Sequence, residues 1–158
     1  MLTLIQKSTL SSNQSEIVFS NIPQNYKSLY ILGSIKSTRP GAQGDFSLKP
    51  NGSTSGYSAR RIAAYTGSAG TDSAFHFNIA GSNVDTNMFS TVEIHVSNYN
   101  KATFKSFNMR SAFRDIIVYA SGLWNNTSAL TSLTLYDLAE SSGNQLRSGT
   151  SIYLYGVS

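Results

Sequence analysis

The chain is predicted to be an all-β protein, an antiparallel β-sandwich of about eight to ten strands with a jelly roll as the expected arrangement. Three observations predict it. Apolar residues recur with period two, β-branched and aromatic residues supply most of them, and turn-forming clusters break the pattern every 8 to 15 residues. With only 13% of residues charged, the chain also lacks the Glu- and Lys-rich face that long surface helices need. At 158 residues one core is expected, so residues 1–158 are read as a single sandwich domain.

In chain order, Met1 to Leu10 carry Leu2, Leu4 and Ile5 in a β-prone stretch. This stretch is either the first strand of the protein's own sheet, which is favoured, or an arm that adds to a neighbour's sheet. The following strands are expected at 16–20, 28–36, 46–49, 61–66, 74–80, 89–97, 104–110, 114–121, 129–136 and 151–156. Within 89–97, Val92, Ile94 and Val96 take one side and Glu93, His95 and Ser97 the other, which marks an antiparallel strand with one wet face. In the closing segment Ile152 and Leu154 alternate with Ser151, Tyr153 and Tyr155, and Gly156 permits a close approach to its backbone. Turns are expected at 39–44, 50–52, 67–72, 80–83, 122–127 and 141–144. Asn51-Gly52 takes positive φ at low cost. Pro23 bars a central strand at 22–26.

Composition excludes much. The chain has no cysteine, which removes disulfides, thiol catalysis and thiolate zinc sites. No apolar run reaches the roughly 18 residues of a membrane span, and the start lacks the pattern of a secretory signal, so no membrane association is expected. The net charge of +4 is spread along the chain with only Arg60-Arg61 adjacent, unlike a nucleic-acid footprint. The 58 Ser, Thr, Asn and Gln residues are expected to wet the surface in place of charges. Asn-x-Ser/Thr matches are chance products of that composition.

No motif singles out a reaction centre. Among 27 serines none lies in a Gly-x-Ser-x-Gly elbow, and the eight acids show no spacing that selects a pair. His76, His95 and Glu93 form a conceivable metal set, but without tight ligand spacing they are read as outward strand residues. No metal, cofactor or enzymatic activity is expected. Tyr57, Tyr65, Tyr99 and Trp124 lie at or beside loops, where aromatic rings either contact a partner or glycan or cap the core.

Four stretches carry a resemblance: Glu16 to Leu29 with its Ile-Pro-Gln-Asn-Tyr-Lys, Val96-Ser-Asn-Tyr with Lys105-Ser after it, Trp124 to Leu135, and Gly149 to Ser158 with Leu-Tyr-Gly-Val. Together they resemble small β-sandwich virion proteins of tailed bacteriophages, several of them capsid decoration or cement proteins. The resemblance spans residue 16 to the end, with Val157 standing where the pattern has Ile. It implies a non-enzymatic protein of the outer capsid surface that binds the major capsid protein, with a homotrimer favoured. It implies no catalytic residue. The alternative is a tail-fibre or tail-tip module that grips host carbohydrate.

Overall fold

The computed structural model describes residues 1–63, 68–72, 75–139 and 142–158. Twelve strands are present: β1 (Leu2–Thr9), β2 (Glu16–Phe19), β3 (Ser28–Ile35), β4 (Gln43–Pro50), β5 (Tyr57–Ala63), β6 (Ser68–Asp72), β7 (His76–Ala80), β8 (Ser90–Ser97), β9 (Lys105–Phe113), β10 (Ile116–Trp124), β11 (Leu133–Asp137) and β12 (Ser151–Val157). No α-helix occurs among the described residues.

The strands form two antiparallel sheets, β1-β12-β3-β8-β9-β10-β5-β6 and β2-β11-β4-β7. The pairs β1 with β12, β2 with β11, β3 with β8 and β4 with β7 are nested one inside the next. A long hairpin wrapped into two facing sheets has this connectivity, so the sandwich is a jelly roll. Eight strands make the roll. The count exceeds the expected eight to ten because β5 and β6 are inserted between β4 and β7, and β9 and β10 between β8 and β11; all four extend the larger sheet beyond β8. Leu2–Thr9 is paired along β12 of the same chain, and an irregularity between Leu4 and Gln6 leaves Ile5 packed against the core.

Period two places the core. Leu29, Ile31, Val92, Ile94, Val96, Phe107, Val118, Ile152 and Leu154 of the large sheet meet Phe19, Phe46, Leu48, Phe77, Ile79, Leu133 and Leu135 of the small one. The large sheet overhangs the small one at β7, whose outer edge is paired with no further strand among the described residues, apart from the isolated bridge of Lys36 to Ala80. Two fully buried serines of the opposite sheet meet that edge: Ser111 Oγ donates to the Asn78 carbonyl at 2.5 Å, and the Ala80 N–H donates to Ser90 Oγ at 2.6 Å. Some hydroxyls expected on the surface thus satisfy buried backbone instead.

Several boundaries differ from expectation: β4 begins at Gln43, within the turn expected at 39–44, β5 begins at Tyr57 rather than at 61, and β11 begins at Leu133 rather than at 129. The break left between the strands expected at 104–110 and 114–121 lies instead at Arg114-Asp115, with Phe113 opposite Ile116 and Arg114 at a φ of 50°. The segment 67–72, expected as a turn, contains β6, paired with β5. The turn expected from 122 begins only after Trp124, because β10 continues opposite Tyr57 and Lys105. Of the strand expected at 61–66, residues 64–66 lie outside the described residues.

Gly156 shows why one position must lack a side chain. The ring of Tyr26 lies on its backbone, and a Cβ there would stand 2.3 Å from the Tyr26 Cγ. Because the clash is with the root of the ring, rotation about the end of the side chain does not relieve it. Gly156→Ala is expected to cost about 2 kcal/mol and to lower the melting temperature by about 6 °C. Thermal unfolding followed by circular dichroism checks this, and an unchanged midpoint would contradict the close approach.

Candidate functional site

The sequence-predicted aromatic positions do not come together as a binding face. Trp124 is 2% exposed and Tyr99 is fully buried, so neither offers a ring face to a ligand. The period-two pattern of β10 points Trp124 inward, beside Gly122. Tyr99 is drawn inward by its hydroxyl, which donates to the Pro23 carbonyl at 2.5 Å and accepts from the Tyr26 N–H at 3.2 Å. Burial raises its phenol pKa. The half-buried Tyr57 packs on Phe75 with ring centres 4.8 Å apart, and its hydroxyl donates to the Ser53 carbonyl. Tyr65 lies outside the described residues.

Tyr57, Tyr99 and Trp124 belong to a clamped end of the sandwich, where the loops 20–27, 51–56, 98–104 and 125–132 meet. Asn100 Nδ2 donates to the carbonyls of Gln24 at 2.8 Å and Tyr26 at 3.1 Å. Asn51, at a φ of 48°, begins the expected Asn-Gly turn. Its Oδ1 accepts from the N–H groups of Thr131 and Ser132 at 2.9 and 3.0 Å, while its Nδ2 donates to Ala129. Lys105 is fully buried at an inward position of β9, and its ammonium donates to the carbonyls of Lys101 (2.8 Å), Thr103 (2.5 Å) and Asn126 (3.3 Å). Burial lowers its pKa. The stretches 16–29, 96–106, 124–135 and 149–158 all contribute here, through Tyr26, Tyr99, Lys105, Asn126 and Gly156.

At the opposite end Lys36 acts in a similar way. It is fully buried and donates to the carbonyls of Val84, Asp85 and Thr86. Its pKa is lowered by burial and further by Arg147, against the opposing effect of Asp85.

The two histidines lie on different sheets. His76 Nε2 is 2.8 Å from Asp45 Oδ1, an oxygen that also accepts from Asn78 Nδ2 at 3.0 Å. Arg39 bonds the other carboxylate oxygen, and Arg61 reaches from β5 across the step between the sheets to Asn78 Oδ1 at 2.8 Å. Asp45 thereby ties β4, β7 and β5 together. Ser47, the strand partner of His76, is fully buried, so its hydroxyl is not accessible beside this His-Asp pair. Among the described residues no group of three or more His, Asp or Glu is placed to hold a metal ion.

One concavity among the described residues was not expected from the sequence. The outer face of the large sheet is dished into a groove of about 720 Å³ across β3, β8, β9, β10 and β5. Strand register builds it: Tyr30, His95, Asn108, Ser121 and Arg60 are successive cross-strand partners in one row. Two residues along the strands, Glu93, Arg110, Tyr119 and Ile62 form the next row. Tyr30 donates to Glu93 Oε2 at 3.2 Å, and Arg110 Nη2 stands 3.8 Å from Oε1 of the same carboxylate. Burial first, and then the charge of Glu93, raises the Tyr30 pKa. Tyr119 and Ile62 are 54% and 60% exposed. The wet side of β8 is legible from Glu93 and His95 alone, but the rows arise from pairing between distant segments, which no local motif reports.

Fold and site together define a jelly-roll β-sandwich whose inserted strands carry an open groove on the larger sheet. Comparison with models of protein families and with curated proteins finds no match for the chain.

Proposed function

We propose that the protein is a non-enzymatic decoration, or cement, protein of a tailed-phage head, bound to the major capsid protein through the clamped loop end and held there as a small oligomer, with a trimer favoured. The observation that carries the proposal is the character of that end. In its four loops only Lys27 and Lys101 are charged, and Phe104 and Leu2 expose 46% and 51% of their surface there. Burying such a surface desolvates few charges. Because Asn51, Tyr99, Asn100 and Lys105 already hold the loops, docking also loses little conformational entropy. Modest contacts of single subunits become firm when copies are linked, which favours an oligomer on a repeated lattice.

Co-sedimentation with undecorated heads tests the proposal. The protein is expected to pellet with heads, and a Leu2→Ser, Phe104→Ser double variant is expected to bind at least about tenfold more weakly, a loss of about 1.4 kcal/mol, with its melting temperature unchanged. A protein that ignores heads and sediments as a monomer would overturn the reading and favour the tail-module alternative. Full binding by the double variant would place the contact elsewhere.

A further inference from the structure

We propose that the groove on the outer face of the large sheet binds a carboxylated oligosaccharide. The floor of the groove is a sheet in which β3, β8, β9, β10 and β5 are all paired on both sides. No main-chain row is left there for a peptide to extend as an added strand, so recognition must come from side chains. Those side chains alternate in kind. Tyr30 on β3 and Tyr119 on β10 stand three strand spacings apart, about 14 Å, and between them lie His95, Asn108, Glu93 and Arg110. Aromatic rings offer apolar faces to the C–H faces of sugar rings. The carboxylate, amide and guanidinium between them match pairs of neighbouring hydroxyls. The volume of about 720 Å³ falls within the range of roughly 300–1,000 Å³ of small-molecule sites and suits a short oligosaccharide.

Charge selects the acidic class. The cation that matters is Arg110, whose guanidinium stands beside the Glu93 carboxylate on the outer face of the groove. The Glu93–Arg110 contact is long, at 3.8 Å through one oxygen, while Tyr30 holds the other oxygen. The Arg110 fork is therefore not consumed by a two-bond pair with Glu93. A ligand carboxylate is the group that fork fits best. The groove lies on the sheet face and the proposed shell contact on the loop end, so either can fail without the other.

Isothermal titration of the full chain against fragments of polygalacturonate, alginate and hyaluronan, each with its carboxyl-reduced counterpart, tests the inference. At least one carboxylated fragment is expected to bind and its reduced form to bind at least about tenfold more weakly, equivalent to about 1.4 kcal/mol. Tyr119→Ala is expected to weaken binding of both forms, whereas Arg110→Gln is expected to weaken only the carboxylated one. Both variants should keep the melting temperature and the head binding of the parent protein. Absence of binding to all three polymers, equal affinity for reduced forms, or equal binding of poly-glutamate would overturn it.

Discussion

Removal of Ser151 to Ser158 is expected to leave a chain that does not fold. Strand β12 lies inside the large sheet, between β1 and β3, and is hydrogen-bonded to both. Its loss strands β1 without a partner and opens the edge of β3 to association with other chains. Ile152 and Leu154 are fully buried, and burial of such side chains contributes about 1.5–3 kcal/mol each. Tyr26 also loses the Gly156 backbone on which its ring lies. Against a typical domain stability of about 5–15 kcal/mol, these losses together with that of β1 leave little margin. The truncated chain should be insoluble, or lack the near-ultraviolet circular dichroism of packed aromatic residues. A soluble product with the parent melting temperature would contradict the central place of β12.

Lys105→Met is expected to give the largest effect of any single substitution at the loop end. Methionine fills much of the volume of the lysine stem but donates nothing, so the carbonyls of Lys101, Thr103 and Asn126 lose their shared ammonium. Hydrogen bonds to a charged group contribute about 1.5–3 kcal/mol each, and their loss is partly offset because no charge remains to be buried and the freed carbonyls lie at part-buried positions that water reaches. A net loss of about 3 kcal/mol corresponds to a fall of about 10 °C in melting temperature. Amide hydrogen exchange should also quicken in 98–104 and 125–127, while β12 keeps its protection. An unchanged midpoint would show that the ammonium holds no loop in place.

Much of the fold is legible because a sandwich strand has a wet face and a dry one. Val92, Ile94 and Val96 alternate with Glu93, His95 and Ser97, and the structure sends each set to the expected side. In the same way Ile152 and Leu154 enter the core while Tyr153 and Tyr155 remain partly exposed. The pattern fails where a residue breaks the local rule for a nonlocal reason. Lys105 occupies the inward series of Phe107 and Met109 because three loop carbonyls wait for it. Arg114 holds a turn conformation that glycine or asparagine would signal, so no local residue type marks the hairpin there. Strand β6 consists of small and polar residues at a sheet edge and reads locally as a turn.

The candidate site was less legible than the fold. Tyr99 and Trp124 look like loop aromatics, yet the hydroxyl bonds of one and the strand phase of the other take both into the interior. The groove depends on the register of five strands drawn from residues 28 to 124, and on hairpins inserted into the roll. Tyr30 and Tyr119 become neighbours of one surface only through that register. Nothing within a short window of sequence distinguishes them from any other outward strand residue.

The number of copies of the chain in a purified virion, counted by quantitative mass spectrometry against the major capsid protein, tests the decoration proposal most directly. A protein that covers the head lattice should be present in hundreds of copies, in a fixed ratio to the shell subunit. A count of a handful per particle would contradict the proposal and assign the chain to the tail.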